Sequence, residues 1–462
     1  MIYSSVVFLY YFLPVVLVVY FLLPRINHKN IFLFIASIVF YAWGEGKLIV
    51  LLLAVGISTW GFSHLIITTK HKKLFAYTGV VILIMILVYY KYVLYLISIN
   101  TDTGDGFFSN VKYVMPIGVS FFTFQGVSYI IDVYRQPQNH ERNIFYVLLY
   151  ISMFPQLISG PLVRYNVISE QLKSRHFEFD VFTEGIKRFI KGLAKKLLLA
   201  NPLGLLVNEI MLTEIHFLGP LAAWIGIIAF TLQLFFDFSA YTDMAIGVGK
   251  MLGFELPENF NYPYISRSVT EFWRRWHITL SGWLRDYVFI PLSLSLRHFN
   301  KAGVFFSLFI TFIICGMWHS AGWNFFIWGA IHGFFLGMEQ LFLSKYLSKL
   351  KMWSLIYTLL VITSSFVFVT ARDLSHAISY LNVMYSFPSE TSLGIEAFLG
   401  KQHLFLMGIG IIFCLPIEKL KIFSKKHKAL EVGELLFLIV LLLFSVMALT
   451  SETYNPFLYF RF

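Results

Sequence analysis

Apolar runs alternate with short polar loops along the whole chain, near residues 3–24, 31–43, 48–67, 75–98, 111–133, 197–212, 218–240, 303–317, 322–343, 352–371, 402–416 and 433–450. A helix that crosses a bilayer takes about 20 apolar residues. The pattern therefore predicts an all-α polytopic integral membrane protein, with about 11–13 membrane helices and additional re-entrant and interfacial ones. The first run, Ile2 to Leu23, is too long for a signal-peptide core and no small-residue cleavage site follows it, so it is expected to be a retained span. No long linker, low-complexity tract or repeated half interrupts the pattern, and residues 1–462 read as a single integral membrane domain.

Loop charges give a topology. RINHK (25–29), KHKK (70–73) and RQPQNHER (135–142) are basic, whereas SINTDTGDGFFSN (98–110) has two aspartates and no Lys or Arg. Excess Lys and Arg mark the cytoplasmic side, which sets the N-terminus outside the cell. Segment 164–196 is basic too, with Arg164, Lys173, Arg175, Lys187, Arg188, Lys191, Lys195 and Lys196. If both 135–142 and 164–196 are cytoplasmic, the apolar run 145–162 has to enter and leave on one side. Its FPQLISGP stretch (154–161) carries two prolines and a glycine that break a helix. Broken backbone at membrane depth survives only where protein or a wet cavity satisfies it. Downstream, KYLSKLK (345–351) and KLKIFSKKHK (419–428) fit inside and the C-terminus outside.

Composition excludes a soluble protein. Of 462 residues 58% are hydrophobic and 13% charged, with mean hydropathy +0.72, where a soluble domain carries about 25% charged residues. The net charge of +11 lies in loops between apolar runs, which is membrane topology rather than a nucleic-acid footprint. Cys315 and Cys414 each sit alone in an apolar run, with neither zinc-ligand spacing nor a disulfide framework.

Three segments hold the polar chemistry. In 255–301 a short helix is expected to start at Ser268 as cap with Glu271 as its capping-box partner. Glu271 and Arg275, four apart, pair on one face, while Trp273, Trp276 and His277 form another face suited to the headgroup region. This helix either anchors the chain or offers Arg274, Arg275 or Arg285 to the phosphates of a cytoplasmic donor. In 230–254, Asp237 and Asp243 lie in strongly apolar sequence, where a carboxylate faces a cavity or a partner. Either they pair with loop arginines, or with Ser239, Tyr241 and Thr242 they line a polar path. The third segment, GMWHSAGWNFFIWGAIHG (316–333), carries His319 and His332. In one unbroken helix these rings would lie about 140° and about 20 Å apart. So either Gly322 breaks the helix or only one histidine is catalytic. No G-x-S-x-G elbow, Walker loop or H-E-x-x-H motif is present. A histidine base in a membrane cavity points to acyl transfer onto a hydroxyl.

Five stretches in collinear order carry a family resemblance: PIGVSFFTFQGVSYIIDVYR (116–135), FPQLISGPLVRY (154–165), FDFSAYTDMAIGVGKMLGF (236–254), PENFNYPYISRSVTEFWRRWHITLSGWLRDYVFIPL (257–292) and GMWHSAGWNFFIWGAIHG (316–333). The chain resembles the membrane-bound O-acyltransferases, in the branch of the alginate and peptidoglycan O-acetyltransferases. The resemblance implies a ring of helices around a central catalytic tunnel. It makes His319, within Trp318-His319-Ser320, the principal catalytic residue, with His277 and His332 supporting. Ser320 stands where the family usually has glycine. Asp237, Ser239, Tyr241, Asp243, Arg274, Arg275, Trp318 and Asn324 are then donor and tunnel candidates, with no metal site. The implied donor is cytoplasmic acetyl-CoA, a substrate rather than a bound cofactor. The implied partners are the lipid bilayer, a periplasmic acetyltransferase protein and a cell-surface glycan acceptor, and the place is the bacterial inner membrane. Three alternatives remain: D-alanyl transfer from a carrier protein to teichoic acid; a polysaccharide or acyl transporter using the carboxylates and histidines as a proton relay; and a scaffold whose histidines are structural.

Overall fold

The computed structural model describes residues 1–101, 115–158, 160–388, 392–416 and 428–451. Most of the acidic loop 98–110, nearly all of the basic stretch 419–428 and the C-terminal residues lie outside the described residues, so the topological expectations placed on them do too. Helices in chain order are α1 (Phe8–Leu22), α2 (Ile26–Glu45), α3 (Ile49–Thr68), α4 (Lys72–Ile97), α5 (Val119–Arg135), α6 (Ile144–Ser152), α7 (Tyr165–Lys173), α8 (Phe179–Ala194) and α9 (Asn201–Leu212). They continue with α10 (Pro220–Met251), α11 (Val269–Arg275), α12 (Ile278–Leu284), α13 (Asn300–His319), α14 (Trp323–Met338), α15 (Lys351–Thr370), α16 (Leu374–Met384), α17 (Lys401–Phe413) and α18 (Lys428–Ser451). Among the described residues the β pairing is a lone bridge, Leu218 to Leu393.

Each of the twelve apolar runs carries a helix, as α1–α5, α9, α10, α13–α15, α17 and α18. Among the described residues seven segments are long and apolar enough to cross a bilayer. One of them, Ile26–Thr68, holds two helices of 20 residues each, parted at Gly46, whose φ of +54° a β-carbon would resist. Lipid rather than water suits the outer faces: on α18, Leu435, Leu436, Phe437, Leu443 and Phe444 are all exposed.

The described residues fall into two compact units, Met1–Phe189 with Tyr241–Pro257, and Ile190–Ala240 with Glu258–Phe462. In the first, α5 is buried along nearly its whole length. The expected break in run 145–162 forms: α6 has only 9 residues, far short of a bilayer, and Met153 turns the chain at ψ 113°. Neighbouring side chains satisfy the freed backbone groups. Phe154 N–H donates to Ser37 Oγ at 3.0 Å, Tyr3 Oη donates to Phe154 C=O at 2.7 Å, and Tyr150 Oη donates to Val163 C=O at 2.9 Å. Glu141, from loop 135–142, pairs with Lys173 at 2.9 Å and accepts from Tyr165 Oη at 3.1 Å. The two basic loops therefore touch and share one side, so the run between them does not cross.

In the second unit α13 and α14 form a hairpin closed by glycines. A β-carbon on Gly329 would stand 2.3 Å from the Phe312 carbonyl oxygen, and one on Gly316 2.1 Å from that of Phe325. Gly329, Gly333 and Gly337 repeat every fourth residue on one face of α14, the spacing that lets membrane helices approach closely.

Candidate functional site

The chain after Pro257 builds the frame for His277. Ser268 caps α11, its Oγ accepting from Glu271 N–H at 2.9 Å. The Glu271 carboxylate accepts from Arg267 N–H at 2.9 Å and pairs with Arg275 at 2.8 Å, so the expected Ser268 cap and ion pair form, with the carboxylate reaching the N–H one residue before the cap rather than that of Ser268. α11 ends at Arg275, and His277 takes left-handed backbone angles, φ 43° and ψ 54°. This conformation costs a non-glycine residue about 1 kcal/mol. The two residues that follow it are fastened to Asn259: its main-chain oxygen accepts from Ile278 N–H at 3.0 Å, and its Oδ1 accepts from Thr279 N–H at 3.2 Å and Thr279 Oγ1 at 2.9 Å.

Asn259 Oδ1 also lies 3.1 Å from His277 Nδ1. Because Thr279 N–H can only donate, this amide oxygen is the acceptor. The His277 proton therefore sits on Nδ1, and Nε2 is the basic nitrogen. Burial pushes the His277 pKa down to about 3, so the ring is neutral across the working pH range.

The arrangement corrects the expectation that Trp273, Trp276 and His277 form one interfacial helix face. The helix stops before His277, and both indoles are buried. Trp276 stacks on Phe272 at 5.5 Å and meets Phe260 edge-on at 5.1 Å. The apolar side of α11 packs into protein because α14 and α15 supply a partner surface that the sequence of the segment alone does not reveal.

His319 is the last residue of α13. Ser320 is extended at φ −154°, and α14 begins after Gly322. The helix is thus broken between the two histidines, and Ser320 needs no glycine-only conformation. On α14, His332 accepts at Nδ1 from Trp273 Nε1–H, 3.1 Å away. An indole N–H only donates, so the His332 proton is on Nε2. Nε2 donates to Ser365 Oγ at 3.0 Å, and that hydroxyl donates to the Ile362 carbonyl at 2.7 Å. Both nitrogens of His332 are committed to holding α11 and α15 against α14.

His277 and His319 line one recess, with Leu234, Phe238, Trp276, Phe325, Trp328, Phe366 and Val369. His332 does not line it. Aromatic rings order the wall: Trp318 lies 4.7 Å from His319 and 6.4 Å from His277 between ring centroids, and Trp328 meets His319 edge-on at 5.2 Å. The recess thus offers two imidazoles in a wall that is otherwise aliphatic and aromatic.

The other sequence candidates lie elsewhere. Asp237 pairs with Lys196 at 2.6 Å, both fully buried. Asp243 accepts from Arg188 Nε at 3.0 Å and Nη2 at 2.9 Å. Tyr241 Oη lies 3.3 Å from Ser4 Oγ. Ser239 is buried with no hydrogen-bond partner for its hydroxyl among the described residues. Asn324 donates to the Ala371 carbonyl at 3.1 Å. Arg275 is held by Glu271, and Arg285 by Asp286 at 2.7 Å, while Arg274 is exposed and has no ion pair among the described residues. Sequence reasoning missed Asn259, Ser365, Trp328 and Glu339. Only Glu339 carried a signal, a carboxylate inside an apolar run.

The sequence pattern of the membrane-bound O-acyltransferase family matches residues 119–375. The chain is 39% identical over 399 residues to a probable alginate O-acetylase of Pseudomonas aeruginosa, spanning 84% of this chain and 75% of that protein. It is 30% identical over 427 residues to a peptidoglycan O-acetyltransferase of Helicobacter pylori, spanning 83% and 80%. Similarity to a teichoic acid D-alanyltransferase of Bacillus subtilis, 31% over 268 residues, spans 55% of this chain and 66% of that protein.

Proposed function

We propose that this chain, which belongs to the membrane-bound O-acyltransferase family, moves an acetyl group from cytoplasmic acetyl-CoA toward hydroxyls of an extracytoplasmic polysaccharide such as alginate or peptidoglycan. It does so in the bacterial inner membrane with its N-terminus outside, handing the group to the glycan directly or through a periplasmic partner protein. The observation that carries the reading is the placing of His277 and His319 on one apolar recess. The wider reach of similarity to the O-acetyltransferases, over four-fifths of the chain against about half for the D-alanyltransferase, favours acetyl as the group moved.

His319 is the base. His332 has both nitrogens engaged, and His277, with its pKa near 3, binds a proton too weakly to take one from an alcohol at neutral pH. As the acceptor oxygen attacks the thioester carbonyl, His319 receives the hydroxyl proton. The tetrahedral intermediate collapses with cleavage of the C–S bond, and the departing thiolate takes the proton back from His319. His277 Nε2 accepts a hydrogen bond from a neighbouring hydroxyl of the acceptor in the same recess and so orients the attacking one. A low-dielectric wall strengthens each of these contacts.

A transporter with a carboxylate proton relay is the rival from another class. The ion pairs of Asp237 with Lys196 and Asp243 with Arg188 speak against it, since each carboxylate already holds a cation. Purified protein supplied with acetyl-CoA labelled in its acetyl group separates the two. Label transferred to an alginate oligosaccharide or a periplasmic protein fraction supports acyl transfer. Label that crosses sealed vesicles still on its thioester sinks it.

A further inference from the structure

Glu339 opens a π-helical turn, Glu339–Leu343, at the end of α14. Its side chain is buried in the second unit, 2% exposed. No Lys, Arg or His stands within ion-pair distance among the described residues. Instead Oε1 accepts from Val269 N–H at 2.7 Å and Tyr357 Oη at 3.1 Å, and Oε2 accepts from Thr270 N–H at 2.9 Å and Thr270 Oγ1 at 2.6 Å. Four neutral donors converge on one carboxylate, two to each oxygen.

Val269 and Thr270 are the first two residues of α11. The opening N–H groups of a helix have no partner inside it, and here they are met from two directions: Ser268 takes the N–H of Glu271, while Glu339, 70 and 69 residues downstream, takes those of Val269 and Thr270. A negative charge at this end is favoured by the aligned peptide dipoles as well. One turn later, Trp273 is tied to His332 on α14. α11 is therefore fixed to α14 at two points, which sets both its position and its rotation. Its last residue, Arg275, is followed by Trp276 and His277 of the recess, and α14 is also the partner of the helix that ends in His319. The same helix thus references both imidazoles.

The geometry points to Glu339 as a positioning residue for acyl transfer: it touches no substrate, and it holds the start of α11 so that His277 meets the acceptor opposite His319. This inference rests on the acyltransferase reading above. Glu339→Gln keeps the size of the side chain but turns an amide NH2 toward a backbone N–H, so one of the two main-chain contacts to α11 is lost and the helix shifts. A displacement of about 1 Å far from the chemistry can cost about 100-fold in rate.

The test measures thiol release from acetyl-CoA and acetyl transfer to an alginate oligosaccharide by the full chain in detergent, for the parental protein, Glu339→Gln, His277→Ala and the double variant. Glu339→Gln is expected to lower kcat 10- to 100-fold with the KM for acetyl-CoA changed less than about 3-fold. The double variant is expected to be no slower than His277→Ala alone, because the two act through one group. Losses that multiply in the double variant, or a Glu339→Gln effect confined to KM, overturn the inference while leaving the acyltransferase reading in place. If the parental protein transfers no acetyl group, it is that reading that fails. Should Glu339→Gln not accumulate, Thr270→Val, which removes only the hydroxyl contact to Oε2, replaces it: a smaller kcat loss that vanishes in the His277→Ala background supports the assignment, and one that persists refutes it.

Discussion

A neutral His277 buried at a left-handed backbone position ties stability to pH. Its ordinary unfolded pKa is about 6.5, and in the fold burial holds it near 3. Between these values the unfolded chain binds a proton that the folded chain does not. The contribution is therefore complete above about pH 6.5 and is lost progressively as the pH falls toward 3. Thermal unfolding in detergent should show a midpoint that drops on acidification from pH 7 to pH 4, with a shallower drop in His277→Gln. An equal slope in both proteins would remove this assignment. His332 makes a different prediction at the same scale. His332→Phe strands the buried Trp273 N–H and should cost about 1–3 kcal/mol of stability, while a Trp273→Phe/His332→Phe pair should recover part of it. The sequence displays His277 and His332, but it cannot show which nitrogen carries each proton. That depends on Asn259, Trp273 and Ser365, whose partnerships arise only when distant segments meet.

At the scale of elements, the α13–α14 hairpin depends on backbone contact. Gly329→Val would force side-chain atoms against the Phe312 carbonyl, 2.3 Å from the site of the new β-carbon, and overpacking of this kind costs about 1–3 kcal/mol. Gly408→Ala on α17 meets nothing within 4 Å and should leave the melting temperature unchanged or slightly raised, since Ala favours a helix over Gly. Comparing the two by thermal unfolding separates a close-packing role from a general dislike of substitution. The four-residue glycine spacing on α14 is legible in the sequence. So are the Ser268 cap and the Glu271–Arg275 pair, because each is local. The burial of Trp273 and Trp276 was not: an aromatic residue beside arginine suits either a headgroup belt or a core, and only the packing of α11 on α14 and α15 decides. The break between His319 and His332 was one of two readings the spacing allowed, and the extended backbone at Ser320 selects it.

For the whole molecule, periodicity and loop charge carried most of the architecture, since spans are local in sequence and lipid sets their length. The non-crossing run 145–162 followed from two basic loops having to share a side, and the Glu141–Lys173 pair joins those loops directly. Single cysteines placed at Gln138 and Ser174 should both react with a membrane-impermeant thiol reagent from the cytoplasmic face only; labelling of the two from opposite faces would contradict the path of the chain. The catalytic assignment is tested most directly by the rate at which purified His319→Ala protein, folded and at parental yield, transfers the acetyl group of acetyl-CoA. Loss of a general base predicts a fall of about 10²- to 10⁴-fold. Transfer at the parental rate would show that His319 is not the base.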